Sequence, residues 1–125
     1  TNEPDCTPST VLVSMTSTGA QISGDSWSPD FMSWYGGTIP FVTATDGVVS
    51  GDTNGLADVY VWSGSTRRIS VGADGAQTDG ASYAPRMSHH FYGPWVVTYI
   101  SEASNIVPDP VVIPNNGNIY MDLAY

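Results

Sequence analysis

Polar and apolar side chains alternate along Asp58-Val59-Tyr60-Val61-Trp62, and the alternation resumes through Thr66-Arg67-Arg68-Ile69-Ser70-Val71. A period of two sends successive side chains to opposite faces of a strand, so each segment predicts one. Ser63-Gly64-Ser65 between them has the small, flexible residues of a hairpin turn. Residues 93–100 read differently. Gly93-Pro94 opens the apolar run Trp95-Val96-Val97-Thr98-Tyr99-Ile100, as expected of a strand buried in the middle of a sheet. No window carries the 3.6-residue period of a helix. The expected fold class is all-β.

The pattern occurs twice. Ser14-Met15-Thr16-Ser17-Thr18-Gly19-Ala20-Gln21 aligns with Ser70-Val71-Gly72-Ala73-Asp74-Gly75-Ala76-Gln77, and Gly24-Asp25-Ser26-Trp27-Ser28-Pro29 with Gly80-Ala81-Ser82-Tyr83-Ala84-Pro85. Met32-Ser33 then matches Met87-Ser88, Pro40-Phe41-Val42-Thr43 matches Trp95-Val96-Val97-Thr98, and Asp58-Val59-Tyr60-Val61 matches Asn118-Ile119-Tyr120-Met121. A repeat of roughly 55 to 60 residues fits a four-stranded propeller blade. Taken in order, the turn at residues 70–88, the apolar strand, the loop at residues 51–62 and the strand at 66–71 resemble the WD40-like repeat of TolB-type β-propellers. The resemblance covers residues 11–125. The sequence departs from it in two places. Trp34-Tyr35-Gly36-Gly37 and His89-His90-Phe91-Tyr92 replace the usual Asp-Gly hairpin, and residues 108–117 replace the Gly-Asp-Thr-Asn-Gly loop in the second copy.

The resemblance implies two four-stranded propeller-type blades, circularly offset. With strands A to D counted outward from the axis, residues 11–15 correspond to a lone D strand. A complete ABCD blade follows through residue 72, and an ABC blade lacking D runs from residue 73 to 125. Residues 1–10 form an N-terminal arm. Two blades cannot close a ring, and an unpaired strand edge is a liability that proteins cover. The expectation is strand exchange between identical chains, in which Val11-Leu12-Val13-Ser14-Met15 adds to the open blade of a neighbour near Tyr120 and Leu123. Such a contact is head-to-tail and yields a closed oligomer or a filament.

Composition narrows the partners. Three Lys and Arg stand against twelve Asp and Glu, a net charge of −9, which argues against nucleic acid. No apolar run is long enough to span a bilayer. A chain beginning at Thr1 is expected to be the mature form of an exported precursor, hence secreted, cell-surface or periplasmic. Its single Cys6 pairs between molecules or stays a free thiol. No Gly-x-Ser-x-Gly elbow, phosphate loop or dinucleotide fingerprint is present, and no enzymatic activity is expected.

Three groups of residues carry candidate chemistry. Asp52, Asn54 and Asp58 place oxygens at alternating positions around Gly55; this is half of a calcium loop, or an Asx-type turn capping its own backbone. Trp34, Tyr35, Phe91 and Tyr92 are expected on one blade face, near Arg67. There they stack on carbohydrate, pack on the next subunit, or fold back onto the core. The opposite face gathers Asp25, Asp46, Asp52, Asp74, Asp79 and Asp109. His89-His90 are adjacent in a strand, so they point to opposite faces and cannot chelate together. Two functions follow: an extracellular structural protein that self-assembles head-to-tail, or a ring-forming lectin-like or periplasmic protein-docking module.

Overall fold

The two alternating segments form the arms of a hairpin. β3 (Asp58–Trp62) pairs antiparallel with β4 (Thr66–Arg68), and Gly64 takes a positive φ of 90° in the turn. Without a Cβ, glycine enters that left-handed region at no steric cost. The computed structural model describes residues 8–31, 37–88, 95–108 and 116–124, and none of these is helical. β1 (Ser26–Trp27) and β2 (Ile39–Thr43) complete a four-stranded antiparallel sheet of order β1-β2-β3-β4. β5 (Ser82–Ser88), β6 (Trp95–Ser101) and β7 (Asn118–Ala124) form a second, three-stranded antiparallel sheet of order β5-β6-β7.

The duplication is visible in geometry as well as in letters. Met15 bridges Gln21 as Val71 bridges Gln77. Thr16 and Gly72 each donate a backbone bond of 2.8 Å, to the carbonyls of Ala20 and Ala76. Ser28 and Ala84 share a positive φ, at 51° and 52°. All these pairs lie 56 residues apart. Later the spacing grows: Ser26 opposes Thr43 and Ser82 opposes Ser101, while Thr43 opposes Asp58 and Ser101 opposes Asn118.

These registers correct one part of the sequence alignment. Pro40–Thr43 does not correspond to Trp95–Thr98; Thr43 corresponds to Ser101. The hydroxyls fix the match. Thr43 Oγ1 donates to the Asp25 carbonyl and accepts from Thr45 N–H, and Ser101 Oγ repeats both bonds with Ala81 and Ala103. Residues 11–14, expected as a strand, have no ladder partner among the described residues, while Met15 forms a bridge to Gln21.

Directly opposed residues of an antiparallel pair share a face. Val42, Val59 and Val61 therefore lie on one face of the first sheet, where with Ile69 they pack on Val97 and Tyr99 of the second. Arg67 reaches from the same face to 5.7 Å from the centre of the Trp95 ring, a cation–π spacing. Phe41 and Tyr60 lie on the other face and are covered by Ile22 and Val48. The aromatic pair repeats too: Phe41 and Tyr60 stack at 5.7 Å, and Tyr99 and Tyr120 at 5.9 Å.

Candidate assembly surface and buried ion cluster

Strand β3 enters the sheet at Asp58, whose side chain shares a face with Tyr60 and Arg68. Asp58 is fully buried, and Asp52, from the preceding loop, nearly so. A buried carboxylate needs donors or a counter-charge. Asp58 Oδ1 accepts from Ser70 Oγ at 2.6 Å and Thr78 Oγ1 at 3.1 Å. Asp52 Oδ2 accepts from Tyr60 Oη at 2.7 Å and Val48 N–H at 3.2 Å. Arg68 Nη1 lies 3.6 Å from Asp52 Oδ1 and 3.5 Å from Asp58 Oδ2. These are ion pairs without good hydrogen-bond geometry, since Arg68 Nη1 and Nε and Asp58 Oδ2 have no hydrogen-bond partner among the described residues.

Burial pushes the Asp58 carboxyl above the ordinary carboxylate range, with Ser70, Arg68 and Thr78 pulling it partly back. Burial and the bond to Asp52 likewise push the Tyr60 phenol up. The expected calcium residues are thus brought together in part. Asp52 and Asp58 meet around the Arg68 guanidinium, while Asn54 is turned to other work. Its Nδ2 donates to the Thr78 carbonyl at 2.9 Å and its Oδ1 accepts from Leu56 N–H at 3.2 Å, which is the Asx-type turn. Among the described residues no three His, Cys, Asp or Glu side chains gather as a metal-binding group. Sequence reasoning missed Arg68, although one signal was available. It alternates into the face of Tyr60 in a chain with three cationic residues and two acids on the adjoining loop.

The second sheet carries the same face outward. Val59 and Val61, at 0% and 1% exposure, correspond to Ile119 and Met121, at 79% and 62%. The first pair is covered by the second sheet. The second pair, with exposed Leu123, lies on the outer strand β7, which has no further strand beside it among the described residues.

Of the expected assembly residues, Val11 and Leu12 are exposed. Val13 and Ser14 line a cleft with Phe41, and the Met15 carbonyl accepts from Thr66 Oγ1 at 2.5 Å. Tyr120 is half-buried against the core, and Leu123 is on the exposed face. Cys6, Trp34, Tyr35, Phe91, Tyr92, the His89-His90 pair and Asp109 lie outside the described residues. No helix among the described residues is long and apolar enough to cross a membrane. No protein-family model matches the chain, and neither does a curated protein or a solved structure.

Proposed function

We propose that this protein is a structural module that assembles head-to-tail with copies of itself, each sheet acting as a propeller-type blade. Residues 10–14 of one copy lie along β7 of the next as its fourth strand. The place they take is the one β4 holds beside β3 within a chain. The internal spacings supply the register. Tyr60 opposes Arg68, Val61 opposes Arg67 and Trp62 opposes Thr66. Tyr120 would then oppose Leu12, Met121 would oppose Val11 and Asp122 would oppose Thr10.

One observation carries this reading. In the first sheet Arg68 meets Asp58, a buried charge pair. In the transposed register Leu12 stands for Arg68 and Asn118 for Asp58, so both charges are lost together. An unpaired buried charge is expensive, whereas a neutral pair is not. Ser14 stands for Ser70, keeping a hydroxyl for Asn118 where Ser70 serves Asp58.

Sedimentation velocity over a concentration series tests the proposal. The native chain should form larger species as concentration rises. The exposed variant Val11→Pro removes an N–H group that would face β7, and it should remain monomeric with an unchanged melting curve. A native chain that sediments as a monomer throughout would overturn the proposal.

A further inference from the structure

The first sheet has an outward face on which Ser26 and Phe41 correspond to Ser82 and Tyr99 on the inward face of the second. An open cleft of about 180 Å³ there is lined by Val13, Ser14, Ser26, Trp27, Pro29 and Phe41. Their counterparts are Ile69, Ser70, Ser82, Tyr83, Pro85 and Tyr99, and within the chain these are occupied. Ser82 N–H donates to the Ala57 carbonyl at 2.6 Å. Tyr99 packs with Val42, Val59 and Val61 of the first sheet, and Pro85 is fully buried. Around the cleft Ser26 and Pro29 are exposed instead, and Trp27, which lines it, is 39% exposed. A tryptophan beside an apolar cleft is the usual anchor of a protein interface.

We propose that this cleft is the receptor for the second sheet of another copy. The occupant is identified by what already covers the equivalent residues. The Ala57 carbonyl meets Ser82, and Val59 and Val61 pack with Tyr99; their counterparts are Gly117, Ile119 and Met121, and the last two are exposed apolar residues of β7. Ser26 N–H donates to the Gly117 carbonyl of the second copy, and Ile119 and Met121 of that copy close over the cleft beside Trp27. The two surfaces lie on opposite sides of the molecule and differ in composition, so the contact is heterologous and propagates.

This deepens the assembly reading and rests on it, since it adds a face contact to the strand contact. The two are separable by a mixing experiment on full-length chains. Trp27→Glu spoils the receptor cleft and leaves β7 intact; Ile119→Glu spoils β7's face and leaves the cleft intact. Both positions are exposed, so both variants should melt like the native chain. Each alone should lose self-association at least tenfold in affinity. Mixed in equal amounts they should form a one-to-one dimer and stop there, because only one competent pair of faces remains. If both variants assemble like the native chain, the receptor assignment falls while strand completion stands. If the mixture stays monomeric, or each variant alone forms the dimer, the faces do not pair as proposed. A native chain with no self-association removes both readings together.

Discussion

Replacing Arg68 with leucine leaves Asp52 and Asp58 buried and facing each other without the guanidinium that meets both. Breaking a buried pair from one side costs about 3–5 kcal/mol. The separations of 3.5 and 3.6 Å lack hydrogen-bond geometry, which places the loss at the low end, about 3 kcal/mol. For 125 residues that is a drop in Tm of about 10 °C. Asp58→Asn, which copies Asn118, keeps the size of the side chain and leaves Arg68 paired with Asp52; it should cost about 1 kcal/mol. The double variant should cost less than the sum by more than about 1 kcal/mol, the coupling expected of residues in contact.

The Arg68→Leu deficit should also depend on pH. Asp58's folded pKa lies above its unfolded value of 3.8 because burial disfavours the charge. Between those two values the folded chain holds a proton that the unfolded chain has lost. The Asp58 contribution to stability therefore rises as pH falls through that window and levels off below it. The deficit should shrink on acidification, since a protonated Asp58 no longer needs a cation. Urea unfolding of the three variants at neutral pH and near pH 5 reads both quantities. A single Arg68→Leu loss below about 0.5 kcal/mol at neutral pH, or one that grows on acidification, would refute the ion-cluster account.

Other outcomes follow from the duplication and the core. Gly80→Ala should cost about 1–3 kcal/mol in urea unfolding. A Cβ there would stand 2.6 Å from the backbone of Glu102 and Ala103, whereas at the equivalent Gly24 it meets only the Thr45 side chain, which can turn away. Val59→Ala should cost about 2 kcal/mol through the cavity it leaves, and Ile119→Ala, exposed in the monomer, less than about 0.5 kcal/mol. Burial, with the Asp122 charge adding to it, raises the Tyr99 phenol to about 12. Above the ordinary tyrosine value of about 10 the unfolded chain loses that proton first, so stability should fall as pH rises towards 12. Thermal melts at stepped alkaline pH would check this.

Much of the fold was legible because its signals were local. The alternation over residues 58–62 and 66–71 with its Ser-Gly-Ser turn predicts the β3–β4 hairpin, and the shared Ala-Gln pairs with Pro29 and Pro85 mark the repeat. The β2–β6 correspondence was misplaced by three residues. Valine-rich runs match one another in several registers, and an odd slip sends every side chain to the wrong face. Only the hydroxyl bonds of Thr43 and Ser101 to their own loops settle it. The site was less legible. Asp52 and Asp58 read as oxygen ligands because their spacing is local, while the Arg68 that meets them comes from across a hairpin. Trp27 and Ile119 gave no signal in one dimension, since their exposure stands out only against the half-buried Tyr83 and the buried Val59 that are their counterparts.

The most direct test of head-to-tail assembly is a disulfide across the inferred strand pair, with Val11→Cys and Met121→Cys in a Cys6→Ser background. The equivalent pair within the chain, Val61 and Arg67, is directly opposed. Opposed strand residues lie about 4.5–5.5 Å apart at Cα, within disulfide reach. The account predicts a ladder of covalent oligomers on a non-reducing gel that collapses to monomer on reduction, with neither single-cysteine variant forming anything beyond a dimer. Monomer alone from the double variant under oxidising conditions, at concentrations where the native chain self-associates, would contradict it.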